Sequence, residues 1–185
     1  VYDLGAHHGF LSLLAGKLVG DEGHVYAFEP LPSNFEMLVG NVALNKVKNV
    51  KPIHLAISNK EGSVHFSNTI HDTANTYVSR SPGYSPLNYI TVPCNSLDNL
   101  VSSGRLALPD FIKIDVEGAE YDVLLGATNL LKENNPLIYL ETHEIHNPGV
   151  EKMCMEFLGK IGYTNRIQLE SDIENKMASY LLKKG

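Results

Sequence analysis

The chain has little of what would mark a membrane, secreted or nucleic-acid-binding protein. No apolar run is long enough to cross a membrane and no secretory leader is visible, so no membrane span is expected. Cysteine is scarce. Cys94 and Cys154 are the only two and lack a Cys-x-x-Cys spacing, which predicts buried thiols and not a disulfide or a zinc site. A reducing, cytoplasmic setting follows as the expectation. Basic charge is also short: 15 Lys and Arg stand against 21 Asp and Glu, for a net charge of −6. That balance argues against a broad nucleic-acid or anionic-membrane surface, both of which need a basic face. Internal repeats and low-complexity tracts are missing as well. The chain opens at Val1, inside an expected strand and without Met, so we read it as a piece of a longer protein. A true N-terminal signal would lie outside it.

What is present suits one globular domain over 1–185. With 43% hydrophobic and 19% charged residues, the chain can bury a full core. Its oligomeric state is not legible. The densest information lies in the first thirty residues. Asp3-Leu4-Gly5-Ala6-His7-His8-Gly9 precedes a helical run, and Val25-Tyr26-Ala27-Phe28 then leads to Glu29 and Pro30. Strand, glycine-bearing turn, helix, strand and carboxylate in this order form an adenosyl-binding unit at the carboxyl ends of parallel strands. Gly5 allows a sharp turn and close approach to a ligand, and Gly9 allows the helix start to pack closely. Glu29 is placed to accept hydrogen bonds from two ribose hydroxyls. A dinucleotide site wants Gly-x-Gly-x-x-Gly so that the pyrophosphate can rest on the helix. Here His7 stands at the middle glycine and the fingerprint fails. The turn suits S-adenosylmethionine, which carries no phosphate. The rings of His7 and His8 matter less than their backbone.

Strands and helices alternate throughout. Val1–Leu4 reads as a strand, followed by a helix whose apolar side is Phe10, Leu11, Leu13, Leu14, Leu18 and Val19. Pro32 and Ser33 open a second helix, with Ser33 and Glu36 matching a capping box. Val50–Ile57 reads as a third strand, Ser63–Phe66 as a short fourth, and Tyr89–Pro93 as an extended piece before a helix around Leu97–Val101. Phe111–Ile114 and Leu137–Leu140 are apolar buried strands, ending at Asp115 and Glu141. Between them lies one helix carrying Val123, Leu124, Ala127, Leu130 and Leu131, and ended by Asn135-Pro136. A helix over Glu151–Ile161 is closed by Gly162, and Tyr163–Leu169 with Met177–Leu182 suggests an antiparallel hairpin at the sheet edge. Residues 68–88 read as a long loop. Its length, Arg80, Tyr77 and Tyr84 make it an expected part of the acceptor site.

By these residues the chain resembles FkbM-type S-adenosylmethionine-dependent methyltransferases. Asp3 to Gly9, Phe28-Glu29-Pro30, Ala56-Ile57-Ser58, Ser96-Leu97-Asp98 and Ile112-Lys113-Ile114-Asp115-Val116-Glu117-Gly118-Ala119-Glu120 occur in that family's order. The last run is the most specific. The resemblance implies a Rossmann-like class I methyltransferase fold, an α/β architecture with a mostly parallel seven-stranded sheet, an antiparallel last strand and helices on both faces. It also implies O-methylation, often of sugars or natural products, with a small-molecule acceptor. Two departures stand out: His7-His8 replaces smaller residues in the turn, and the helix expected before the first strand is absent.

The candidate cofactor residues are therefore Asp3, Gly5, Ala6, His7, Gly9, Glu29, Pro30, Ser58 and Asp115. The candidate catalytic residues are His143, Asp115 and Glu117, at the ends of two strands. The acceptor oxygen must be held in line with the methyl group while a base removes its proton. His143 is the preferred base because an unperturbed imidazole titrates near neutral pH. Asp115 is suited to the cofactor's positive end, and Glu117 to either role. Glu120 reads as a first-turn acid complementing the helix dipole. His143, His146, Glu141 and Glu144 make a weak metal signature, with the histidines at i, i+3 on an expected loop, and no metal site is expected. Two other functions stand beside the leading one: a nicotinamide-dependent oxidoreductase, and a cofactor-binding domain that has lost catalysis and serves as an interaction module.

Overall fold

A computed structural model of the protein describes residues 1–67 and 89–185. The loop expected over 68–88, and its proposed role at the acceptor site, fall outside these residues. The chain runs β1 (Tyr2–Leu4), α1 (Phe10–Leu18), β2 (Val25–Phe28), α2 (Pro32–Asn45), β3 (Val50–Ile53), β4 (Ala56–Ile57), β5 (Gly62–Ser67), β6 (Tyr89–Asn95) and α3 (Leu97–Ser102). It continues with β7 (Phe111–Ile114), α4 (Glu120–Leu125), α5 (Thr128–Asn134), β8 (Leu137–His143), α6 (Val150–Lys160), β9 (Asn165–Asp172) and β10 (Met177–Lys183).

Seven strands form one sheet in the order β3-β2-β1-β7-β8-β10-β9, and β4-β6-β5 form a smaller one. The strands β3, β2, β1, β7 and β8 pair in parallel, and β10 enters antiparallel to β8. This is the expected Rossmann-like fold, with one refinement. The hairpin does sit at the sheet edge, but its second strand lies inside and β9 is the outermost. The order reverses between β1 and β7, where ligands bind outside the carboxyl ends of an open sheet. Tyr26 and Phe28 of β2 pack toward the larger core with Leu124, Leu131 and Leu158, while Val25 and Ala27 face Leu38 on the other side. Alternation along the strand thus separates the two helical layers.

Three local expectations change. The segment from Val50 to Ile57 is two strands, because β3 pairs with β2 whereas β4 pairs with β6. A tight turn with Leu55 N donating to the Ile53 carbonyl (3.0 Å) redirects the chain between them. The single helix expected after Asp115 is broken into α4 and α5. At the break a Cβ on Gly126 would come within 2.0 Å of the Ser58 carbonyl oxygen, and the Gly126 carbonyl accepts from Asp98 N–H (2.9 Å). Asp98 then caps α5 by accepting from Asn129 N (2.9 Å) and Leu130 N (2.8 Å). The capping box of Ser33 and Glu36 does not form. Leu31 is the N-cap, with no side-chain cap, and its N–H is taken by Glu29.

The largest surprise is α1. Its buried residues are Ser12 and Gly16, while Phe10, Leu11, Leu14 and Leu18 are exposed, Phe10 by 78%. Ser12 donates to the buried Asp3 carboxylate, and a Cβ at Gly16 would meet Val50 at 2.6 Å. The helix approaches the sheet through its small residues because only they allow that distance. Its apolar side faces outward. Cys94 and Cys154 are buried free thiols, as expected.

Candidate active site

The turn after β1 is built by its backbone. Gly5 adopts φ +80°, and a Cβ there would lie 1.8 Å from the Asp115 carbonyl oxygen. Its freedom lets β1 meet the end of β7 closely. His7 takes φ 51°, an uncommon conformation for a side-chain-bearing residue, and its N–H donates to Glu29 Oε2 (2.8 Å). Leu31 N donates to Oε1 (3.0 Å), so both carboxylate oxygens are fixed by backbone donors. Glu29 is 4% exposed. Burial raises its pKa, against the lowering effect of those two N–H donors and of Asn34.

Glu29 lines a cleft of about 400 Å³. Gly5, His7, Pro30 and Asn34 line it too, and Leu31, Ala56, Ile57, Val64 and Phe66 form an apolar wall. Asp115, Val116 and Glu117 complete the lining, with the Asp115 backbone against Gly5. Of the expected cofactor residues, Gly5, His7, Glu29, Pro30 and Asp115 line the cleft. The remaining four stand behind it. Asp3 is buried under Ser12 and 3.2 Å from Lys113 Nζ, and Ala6 packs with Leu38. A Cβ on Gly9 would meet Leu38 at 2.4 Å, so its close packing is against α2, and Ser58 backs onto Gly126.

Lys113 is a lysine within an otherwise apolar buried strand. Its Nζ lies 3.2 Å from Asp3 Oδ1 and 3.0 Å from Asp115 Oδ2, and it donates to the Gly5 carbonyl at 3.2 Å. Burial would lower its pKa, but Asp3 and Asp115 outweigh that and raise it. The register explains the tie, since Asp3 and Lys113 are partners across β1 and β7. Lys113 thereby holds the end of β7 to the turn after β1, a role the sequence reading missed although the charge in an apolar strand was its signal.

The expected catalytic residues come together at the mouth. His143 Nε2 lies 3.7 Å from Asp115 Oδ1, 3.6 Å from Glu117 Oε2 and 3.6 Å from Glu141 Oε1. Its Nδ1 contacts Glu120 Oε1 at 2.8 Å, and Glu120 is fully buried. Glu120 also accepts from Gly118 N (2.9 Å), so it does more than complement the dipole of α4. Glu117 sits at φ 52°, and its Oε2 is 3.2 Å from His146 Nε2. The four residues of the weak metal signature do not all turn to one point. Glu144 caps α6 instead, accepting from Gly149 N (2.6 Å) and Glu151 N (2.9 Å). Asp115, Glu117 and His143 do offer ligand atoms within 4.8 Å of one another.

The charge state of His143 departs from expectation. Burial alone would lower its pKa, but the carboxylates of Glu120, Glu141 and Glu117 reverse this and raise it to about 10. A protonated imidazole is a poor base at neutral pH. Glu117 shifts the other way for a base: burial raises its pKa, opposed by His143 and reinforced by Asp115, Glu120 and Glu141. Of His143 and Glu117, the carboxylate is the one whose shift suits taking a proton.

The sequence profile of the methyltransferase FkbM domain matches residues 3–169. The chain belongs to this methyltransferase family. This FkbM domain is also 29% identical over 157 residues to the hexuronic acid methyltransferase AglP of Haloferax volcanii. That alignment covers 84% of the chain but 61% of the relative, so the chain spans about three-fifths of that protein's length. In fold it is similar to the methyltransferase FkbM crystal structure from Methylobacillus flagellatus, with a TM-score of 0.70 at 16% identity, covering 98% of this chain and 42% of that one. A precorrin-6y C5,15-methyltransferase from Geobacter metallireducens superposes with a TM-score of 0.57 at 14% identity, covering 100% and 78% of the two chains. No helix among the described residues is long and apolar enough to cross a membrane.

Proposed function

We propose that this FkbM domain is an S-adenosylmethionine-dependent O-methyltransferase acting on a hydroxyl of a sugar of the hexuronic acid class. The observation that carries this reading is one cleft lined by the backbone-held Glu29 carboxylate, an apolar wall and the Asp115 and Glu117 acids. Glu29, immobilised by two backbone N–H groups, keeps lone pairs for a pair of ribose hydroxyls. The apolar wall of Leu31, Ile57 and Phe66 suits the flat face of a purine, and the Asp115 carboxylate suits a cationic end. The volume lies in the range of ordinary small-ligand pockets, about 300–1,000 Å³. These residues fit the cofactor. A dinucleotide fits poorly, because the His7 N–H that would meet a phosphate is spent on Glu29.

When bound, S-adenosylmethionine supplies a methyl group on a positive sulfur, and the products are the methyl ether and S-adenosylhomocysteine. Glu117 would accept the proton that the acceptor hydroxyl loses. Asp115 balances the cofactor's positive charge, fixed in place by Lys113. His143, held by Glu120, orients the Asp115 and Glu117 carboxylates. The acidic-sugar acceptor rests on the similarity to AglP.

Calorimetry with S-adenosylmethionine tests the cofactor half of this reading. The parent should bind, and Glu29→Ala should weaken binding about tenfold to a hundredfold, as expected for losing hydrogen bonds to a charged acceptor. Equal affinities would remove Glu29 from the site. Transfer of a labelled methyl group to glucuronic and galacturonic acid glycosides, read by mass spectrometry against neutral hexosides, tests the acceptor half. Labelled product from the uronic acids also rules out the inactive interaction module. Binding without transfer to any acceptor would favour that module.

A further inference from the structure

The mouth of the cleft carries more negative charge than its described cations balance. Asp115, Glu117 and Glu141 face the Nε2 side of His143 and Glu120 its Nδ1, while the cations beside them are the His143 imidazolium and Lys113, the latter already shared between Asp3 and Asp115. For a uronic acid, whose own carboxylate must approach, that wall is repulsive. A cation between the two would turn repulsion into a bridge.

A second observation points to the same place. His143 is only 6% exposed, yet its Nε2 makes no hydrogen bond among the described residues, since every carboxylate oxygen beside it is at 3.6–3.7 Å. The buried nitrogen is aimed into the cluster. Its opposite nitrogen is fixed by Glu120, a fully buried carboxylate whose Oε2 also lacks a hydrogen-bond partner. A carboxylate behind one ring nitrogen, with the other turned toward oxygen ligands, is how metal-binding histidines are oriented. The carboxylate fixes the ring's orientation, and an ion binding at Nε2 displaces the proton held there by the imidazolium.

We propose that Asp115, Glu117 and His143 hold one divalent cation at the mouth of the cleft, which receives the acceptor's hydroxyl and carboxylate oxygens. This rests on the methyltransferase reading of the same cleft. Their ligand atoms already lie within 4.8 Å of one another, on the ends of β7 and β8 and the turn after β7. Two carboxylates and one imidazole suit a divalent transition ion such as Mn²⁺, with positions left for water or substrate oxygen. The bound ion withdraws electron density from the acceptor hydroxyl and eases loss of its proton. Glu117 can bind the ion through one oxygen and take the proton on the other.

The test is Mn²⁺ binding to chelator-treated protein without S-adenosylmethionine, by calorimetry and by electron paramagnetic resonance. One Mn²⁺ should bind per chain, and pulsed spectra should show coupling to a coordinated nitrogen. Glu117→Gln, at a partly exposed position, should weaken binding by tenfold or more, and Glu120→Gln by about tenfold to a hundredfold through loss of the imidazole's anchor. No Mn²⁺ bound at millimolar concentration, or bound Mn²⁺ lacking nitrogen coupling, overturns the proposal, and neither result needs a variant to fold. Affinity unchanged in both folded variants overturns it too. S-adenosylmethionine titrated into the same samples separates the readings: cofactor binding without Mn²⁺ binding sinks only the cation site.

Discussion

Glu29 shows how one buried carboxylate can link affinity and stability to pH with opposite signs. Its pKa is raised by burial, so its charged form is disfavoured in the folded protein. In the free protein its contribution to stability therefore declines as pH rises from the ordinary glutamate value to the raised one. Ribose binding needs the carboxylate ionised, so cofactor affinity should rise over that same window. Calorimetry across mildly acidic pH checks this, and an affinity that falls with rising pH there would refute it. In the same cleft, Glu117→Gln should lower kcat about a hundredfold or more with little change in S-adenosylmethionine affinity, because a base acts in the transition state. His143 was legible as a site residue but not as a cation. Its pKa depends on Glu120, which is near in space only because α4 and β8 lie side by side. Gly5, His7, Glu29, Pro30 and Asp115 were legible because they sit at strand ends at fixed spacing. The apolar wall was not. Ala56, Val64 and Phe66 belong to the small sheet, whose pairings join distant segments.

At the scale of elements, the break between α4 and α5 was hidden because its cause is tertiary. Apolar residues at Val123, Leu124, Ala127, Leu130 and Leu131 keep a helical rhythm across Gly126, and all five are buried. What interrupts the helix is the carbonyl of Ser58, which occupies the space a side chain would need. Gly126 has an ordinary φ of −75°, so alanine there is strained by contact alone. Gly126→Ala should cost about 1–3 kcal/mol, the usual price of overpacking, read from chemical denaturation. It should also weaken cofactor binding, since Ser58 follows directly on Ile57 in the cleft wall. Normal stability in that variant would mean that the contact relaxes freely. The Ser96-Leu97-Asp98 motif gains a physical reading here as well. Ser96 caps α3 by accepting from Asn99 N (3.2 Å), while Asp98 caps α5, so three residues start two helices.

At the scale of the whole molecule, the alternation of strands and helices was enough for the fold class, because buried parallel strands read as short apolar runs. The orientation of α1 was not legible, for a reason of the same kind. Hydrophobic rhythm reports which side of a helix is apolar, and it is silent on which side faces the sheet. In α1 the two sides differ. The consequence is colloidal: in water the molecule carries a greasy ridge, Phe10, Leu14 and Leu18 one helical turn apart, beside a net acidic surface. Such a surface should take up apolar fluorescent dyes in the native state and drive concentration-dependent clustering, more strongly as salt screens the like charge of neighbouring molecules. Leu14→Lys with Leu18→Lys should lower dye uptake and raise the light-scattering onset concentration without changing cofactor affinity. Scattering that is unaffected would place the stickiness elsewhere on the molecule.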